Sequence, residues 1–80
     1  MTENGLERLL QILSADREQA AASYLLIQGK LIRYFTWNTC PHPESLADEV
    51  LDRVARRLEE GEQIEKPANY ILGVARRVAI

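Results

Sequence analysis

Apolar residues recur at intervals of three and four along the whole chain, and nowhere do they alternate with a period of two. That spacing predicts helices throughout and no sheet. Glycine and proline punctuate the pattern so that it falls into four helical stretches. The first runs from about Leu6 to Leu13, with Leu6, Leu9, Leu10 and Leu13 on one side and Asn4 as its N-cap. Asp16, followed three residues later by Gln19, offers a capping box for a second, long helix that reaches about Trp37. On a helical wheel Tyr24, Ile27, Leu31, Tyr34 and Phe35 form the centre of its apolar face, widened by Leu25 and Ile32, while Lys30 and Arg33 face away.

The segment from Asn38 to Pro43 holds two prolines and few helix formers, which predicts a tight connection folding the next helix back. A third helix then occupies about Glu44 to Glu60 and stops at Gly61, a C-terminal signal. Its wheel divides cleanly. Leu46, Ala47, Val50, Leu51, Val54, Ala55 and Leu58 fill one half, and Asp48, Glu49, Asp52, Arg53 and Arg56 the other. After a polar loop from Glu62 to Lys66, Pro67 suits the first turn of a fourth helix that is still in mid-pattern at Ile80, which suggests a boundary drawn inside a helix. The fourth helix turns Tyr70, Ile71, Val74, Ala75 and Val78 inward, with Gly73, Arg76 and Arg77 on its other side. The expected architecture is all-α, a compact bundle of about four helices forming a single domain over residues 1–80.

Composition supports a folded domain: 46% of the residues are apolar and 28% charged, outside the range of disordered chains. A single cysteine, Cys40, forms no internal disulfide and points to a reducing compartment. With no leader-like or membrane-length apolar stretch in view, the cytoplasm is the expected location and no membrane partner is implied.

A net charge of −2 excludes a protein that simply coats nucleic acid or anionic lipid. The average conceals a partition. Residues 1–40 hold four acids and four bases, residues 41–65 eight acids and three bases, and residues 66–80 three bases and no acid. Lys66, Asn69 and Tyr70 stand at the positive end of the fourth helix, a set able to hold a phosphate or stack a base, with Arg76 and Arg77 further along. On the third helix Glu49 with Arg53, and Asp52 with Arg56, stand four apart, spacing that suits a solvated face laced by ion pairs as well as a face that meets a basic partner helix.

Catalytic chemistry finds little to stand on. His42 is the only histidine and lies between two prolines beside the lone Cys40, which is too few ligands for a metal and no support for a nucleophile. The four glycines are scattered, so no phosphate-cradling loop is formed. The expectation is a protein that binds and is not an enzyme, with no cofactor and no metal.

Two runs carry a resemblance. Ser45-Leu46-Ala47-Asp48-Glu49-Val50-Leu51-Asp52-Arg53-Val54 and Ala68-Asn69-Tyr70-Ile71-Leu72-Gly73-Val74-Ala75-Arg76 resemble the second region of bacterial RNA polymerase sigma factors of the extracytoplasmic-function type. The first is similar to the family's leucine, polar–Glu pair, hydrophobic pair and arginine. The second is similar to its aromatic–aliphatic–x–x–aliphatic–Ala–Arg–Asn run, with Tyr70 where Trp often stands. Asp48 departs from a common Gln and Arg77 from a usual Asn, and the family's separate helix-turn-helix domain has no counterpart in these 80 residues.

The resemblance implies a transcription initiation factor domain. Asp48, Glu49, Leu51, Arg53 and Arg56 would dock on the basic clamp helices of the polymerase's largest subunit. Gln63, Lys66, Asn69 and Tyr70 would meet the minus-ten element and its unpaired nontemplate strand, with Arg76 and Arg77 on the phosphates. An inhibitory anti-sigma protein is a further implied partner. The competing expectation is a helical protein–protein interaction domain, dimeric in one form, whose Leu6/Leu9/Leu10/Leu13 stripe or third helix seeks a partner and never touches DNA.

Overall fold

A computed structural model describes residues 1–79. It is an all-α bundle of four helices: α1 (Glu3–Leu13), α2 (Arg17–Trp37), α3 (Pro43–Glu59) and α4 (Pro67–Val78). The expectation that the last helix continues through Ile80 falls outside the described residues. α3 is the central element. Every apolar position named for its inner half is buried except the half-buried Leu46, and α1, α2 and α4 all pack against it. The core joins Leu9 of α1, Leu31 and Phe35 of α2, Ala47, Val50, Leu51, Val54 and Leu58 of α3, and Ile71, Val74 and Ala75 of α4. Tyr34 meets Phe35 edge to face with centroids 5.4 Å apart. The radius of gyration, 12.0 Å, matches the value of about 12 Å for one compact domain of this length.

Helix ends follow local chemistry. Asp16 caps α2, its carboxylate accepting from the amides of Glu18 and Gln19 at 2.9 and 3.2 Å. Gly61 ends α3 at φ +95°, with its amide donating to the Leu58 carbonyl and that of Glu62 to Arg57, both at 3.1 Å. This is the Schellman arrangement that only a left-handed residue closes without strain. Thr39 closes α2 by the same pattern at φ 55°, donating to Thr36 while Cys40 donates to Phe35. Pro67 opens α4 in its first turn.

Three expectations need correction. The N-cap of the first helix is Thr2 and not Asn4: the Thr2 hydroxyl accepts from the Gly5 amide at 3.0 Å and also donates to Glu59 of α3, so the helix begins at Glu3. Leu25 does not widen the buried face of α2; it is 65% exposed, because α1 and α3 together cover only one side of so long a helix. The Leu6/Leu9/Leu10/Leu13 stripe is not a uniform surface either: Leu6 is 37% exposed while Leu10 and Leu13 are half-buried. Leu9 is 0% exposed, and α1 turns that side onto α2 and α3.

Candidate functional site

The outer face of α3 follows directly from its heptad-like pattern. With the apolar half buried, Asp48, Glu49, Arg53 and Arg56 project to solvent and Asp52 is half-buried beside them. Both predicted ion pairs form: Glu49 with Arg53 at 3.3 Å, and Asp52 with both Nε and a terminal nitrogen of Arg56. Asp52 also takes the amino group of Met1 at 3.0 Å. The Arg56 hydrogen bond, and next the amino group, hold its carboxyl below its ordinary value. Asp48 accepts from the Gln28 amide nitrogen at 3.3 Å. Its charge adds to burial in raising the pKa of the Tyr24 phenol. Asp48 and Glu49 thus present carboxylates in the second turn of the helix, and arginines follow from one turn later.

Leu51 does not join this face. It is 1% exposed within the core, so it supports α3 from beneath and presents nothing to a partner. Its own position in the apolar half of the wheel already said as much.

The loop after α3 and the start of α4 form a second surface. Gln63, Lys66 and Asn69 are exposed and Tyr70 half-buried. These four line one shallow depression of about 510 Å³ together with Ile64 and Glu65. The structure therefore brings Gln63, Lys66, Asn69 and Tyr70 together. The Tyr70 phenol is raised above its usual value, first by the neighbouring Glu62 carboxylate and then by burial, with Arg57 and Arg77 pulling the other way.

Tyr70 also borders a cleft of about 430 Å³ between α3 and α4, walled by Arg53, Arg56, Arg57 and Arg77 with Glu60 and Val74. Two of the arginines are held by carboxylates, Arg53 by Glu49 and Arg56 by Asp52. Arg57 and Arg77 have no ion-pair partner among the described residues. Arg76 is exposed but lines neither depression, so it is set apart from Arg77. Arg57 is the residue that sequence reasoning missed. The available signal was its place in the last turn of α3, next to Arg56 and directly before the loop that returns the chain as α4.

Charge is consequently not divided helix by helix. α3 itself passes from acidic, at Asp48, Glu49 and Asp52, to basic, at Arg53, Arg56 and Arg57, and its basic end shares a cleft with α4.

No known protein family, curated protein or solved structure matches the chain. The surfaces must therefore be read from their own chemistry. Among the described residues no group of three His, Cys, Asp or Glu side chains is placed to hold a metal ion, and no helix is long and apolar enough to cross a membrane. His42 is exposed at φ 54°, ahead of Pro43 at the start of α3, and makes no side-chain capping bond. The two surfaces present a carboxylate pair and, beyond it along α3, a cleft of guanidinium groups beside an aromatic ring.

Proposed function

We propose that this domain is a sigma-factor-like transcription initiation module. The start of the α3 outer face docks on the basic clamp helices of RNA polymerase, and the loop with the start of α4 engages the unpaired nontemplate strand of the minus-ten element. The observation that carries the reading is the continuous polar surface in which exposed Asp48 and Glu49 lead along α3 into the arginine cleft and on to Tyr70 and Asn69. One protein partner and one nucleic-acid partner can occupy it side by side. It is supported by the two sequence runs that resemble the sigma family, since the first run exposes Asp48 and Glu49, acids suited to a basic helix pair, alongside Ser45 and Arg53.

Arg53 and Arg56 stand at the junction. Each pairs with a carboxylate one turn earlier on α3, which biases it toward the junction between the two partner surfaces. Tyr70 supplies a ring on which an unstacked base can rest, worth about 1–3 kcal/mol. A net charge of −2 makes free DNA binding weak and salt-sensitive, so the polymerase would present the domain to its promoter.

The test is a titration of the domain with a clamp-helix fragment and, separately, with single-stranded DNA. Asp48→Lys with Glu49→Lys is expected to weaken clamp binding by about tenfold or more while DNA binding is retained or tightened. Equal clamp binding by the folded double variant would reject the assignment.

A further inference from the structure

The outer face of α2 has no partner among the described residues. At about 100° per residue, Glu18, Ala22, Leu25, Leu26, Gly29 and Arg33 fall within one third of the helix circumference, with Trp37 at its edge. All are exposed except Gly29, where an added Cβ would meet nothing within 4 Å. Leu26 is 66% exposed and Trp37 79%, alongside the exposed Leu25. Three large apolar side chains left in water on one face of one helix mark an interaction surface. None of these residues belongs to the polymerase or DNA surfaces described above.

The charges on the face choose the occupant. Glu18 and Arg33 lie about four turns apart, and neither has an ion-pair partner among the described residues. Between them the strip carries no other charge. We propose that this face pairs with the same face of a second copy of the chain, the two α2 helices running antiparallel about a two-fold axis at Leu25 and Leu26.

In that register Leu25 of each copy meets Leu26 of the other, and Gly29 lies over Ala22. Arg33 stands opposite Glu18, twice by symmetry. The glycine and alanine allow the helix axes to approach toward the close end of the usual 8–10 Å range. Trp37 reaches past the partner helix to its Ser14 turn. A parallel pairing would instead set Arg33 against Arg33 and Glu18 against Glu18, so the charge pattern itself selects the antiparallel form. One helix face is a small interface, which makes the dimer weak and transient.

Sedimentation velocity of the 80-residue chain, over about 10 to 500 μM as befits a small interface, tests this. The expected result is a rise from one chain to two across the range. Leu26→Glu should weaken association by about tenfold or more. Glu18→Arg alone and Arg33→Glu alone should each weaken it, because each variant faces its own copy with like charges. Mixing these two variants should restore a dimer, since every facing pair then again joins unlike charges. A chain that stays monomeric at the top concentration overturns the proposal and leaves the face to a different protein. A dimer indifferent to Leu26→Glu, or one that the mixture fails to restore, overturns it equally.

Discussion

α3 has two flanks, and they are built on opposite terms. Along one, α1 closes down until backbone and side chain touch: Gly5 is buried against Ala55 and Glu59, Thr2 is hydrogen-bonded to Glu59, and Leu9 is sealed in the core. Along the other, α4 packs through Ile71, Val74 and Ala75 but leaves the arginine cleft standing open above them. The difference lies in side-chain size and charge. Gly5 and Ala55 permit close approach, whereas the cleft is edged by long guanidinium side chains, of which Arg57 and Arg77 have no ion-pair partner among the described residues. One flank is sealed where Gly5 and Leu9 sit, and the other leaves a charged cleft, the one that the proposed function gives to the nucleic acid.

Filling the closed flank should produce the largest effect. A Cβ at Gly5 would run into the Glu59 carboxylate and approach the Ala55 Cβ to 3.2 Å. Gly5→Val is therefore expected to destabilise the fold by about 2 kcal/mol, lowering the melting temperature by roughly 10 °C in a domain of this size. Gly73 on the open side is the control. An added Cβ there has nothing within 4 Å, so Gly73→Ala should stabilise by up to about 1 kcal/mol. Thermal unfolding followed by circular dichroism separates the two, and equal shifts at both glycines would erase the contrast between the flanks.

The open flank is broken by charge. Arg57→Gln with Arg77→Gln should weaken single-stranded DNA binding by about tenfold, and should lower the salt dependence by about 0.7 for each phosphate that is no longer neutralised. Clamp binding should not change. Fluorescence anisotropy across a salt series reads both quantities. A double variant that binds DNA with undiminished affinity and slope would mean that the cleft is an incidental gap between two helices.

Much of the fold was legible in the chain. The four helices, the Asp16 cap, the Gly61 stop, the Pro67 start and the inner half of α3 are all local signals, decided by residues within a turn or two of one another. The failures share a different cause. Thr2 outcompetes Asn4 as a cap in a position where its hydroxyl also reaches Glu59, a residue 57 positions away. Leu25 satisfies the apolar period of α2 but lies on the side that neither α1 nor α3 reaches. Arg57 belongs to no motif, and becomes part of a site only where α4 returns beside the end of α3. Leu51 is the reverse case. Its wheel position placed it inside, and the family resemblance drew it wrongly to the surface.

The smallest expected effect joins the two flanks. Asp52 receives the Met1 amino group from the α1 side and Arg56 from the cleft side. Those cations hold its carboxyl below the ordinary value in the folded state. As pH falls, the unfolded chain therefore takes up this proton first. The stabilisation is fully present above the ordinary aspartate pKa of about 3.9 and is lost as pH drops through the lowered folded value. Asp52→Asn should cost about 0.5 kcal/mol at pH 7, in the range of partly exposed pairs. The deficit should shrink toward zero in strong acid, where the wild-type carboxyl is protonated too. Urea titrations at pH 7, pH 4 and the lowest pH at which the domain still folds would show the two stability curves converging. Parallel curves would mean that Arg56 is held in the cleft by its own surroundings, and that the closed flank exerts no electrostatic hold on the open one.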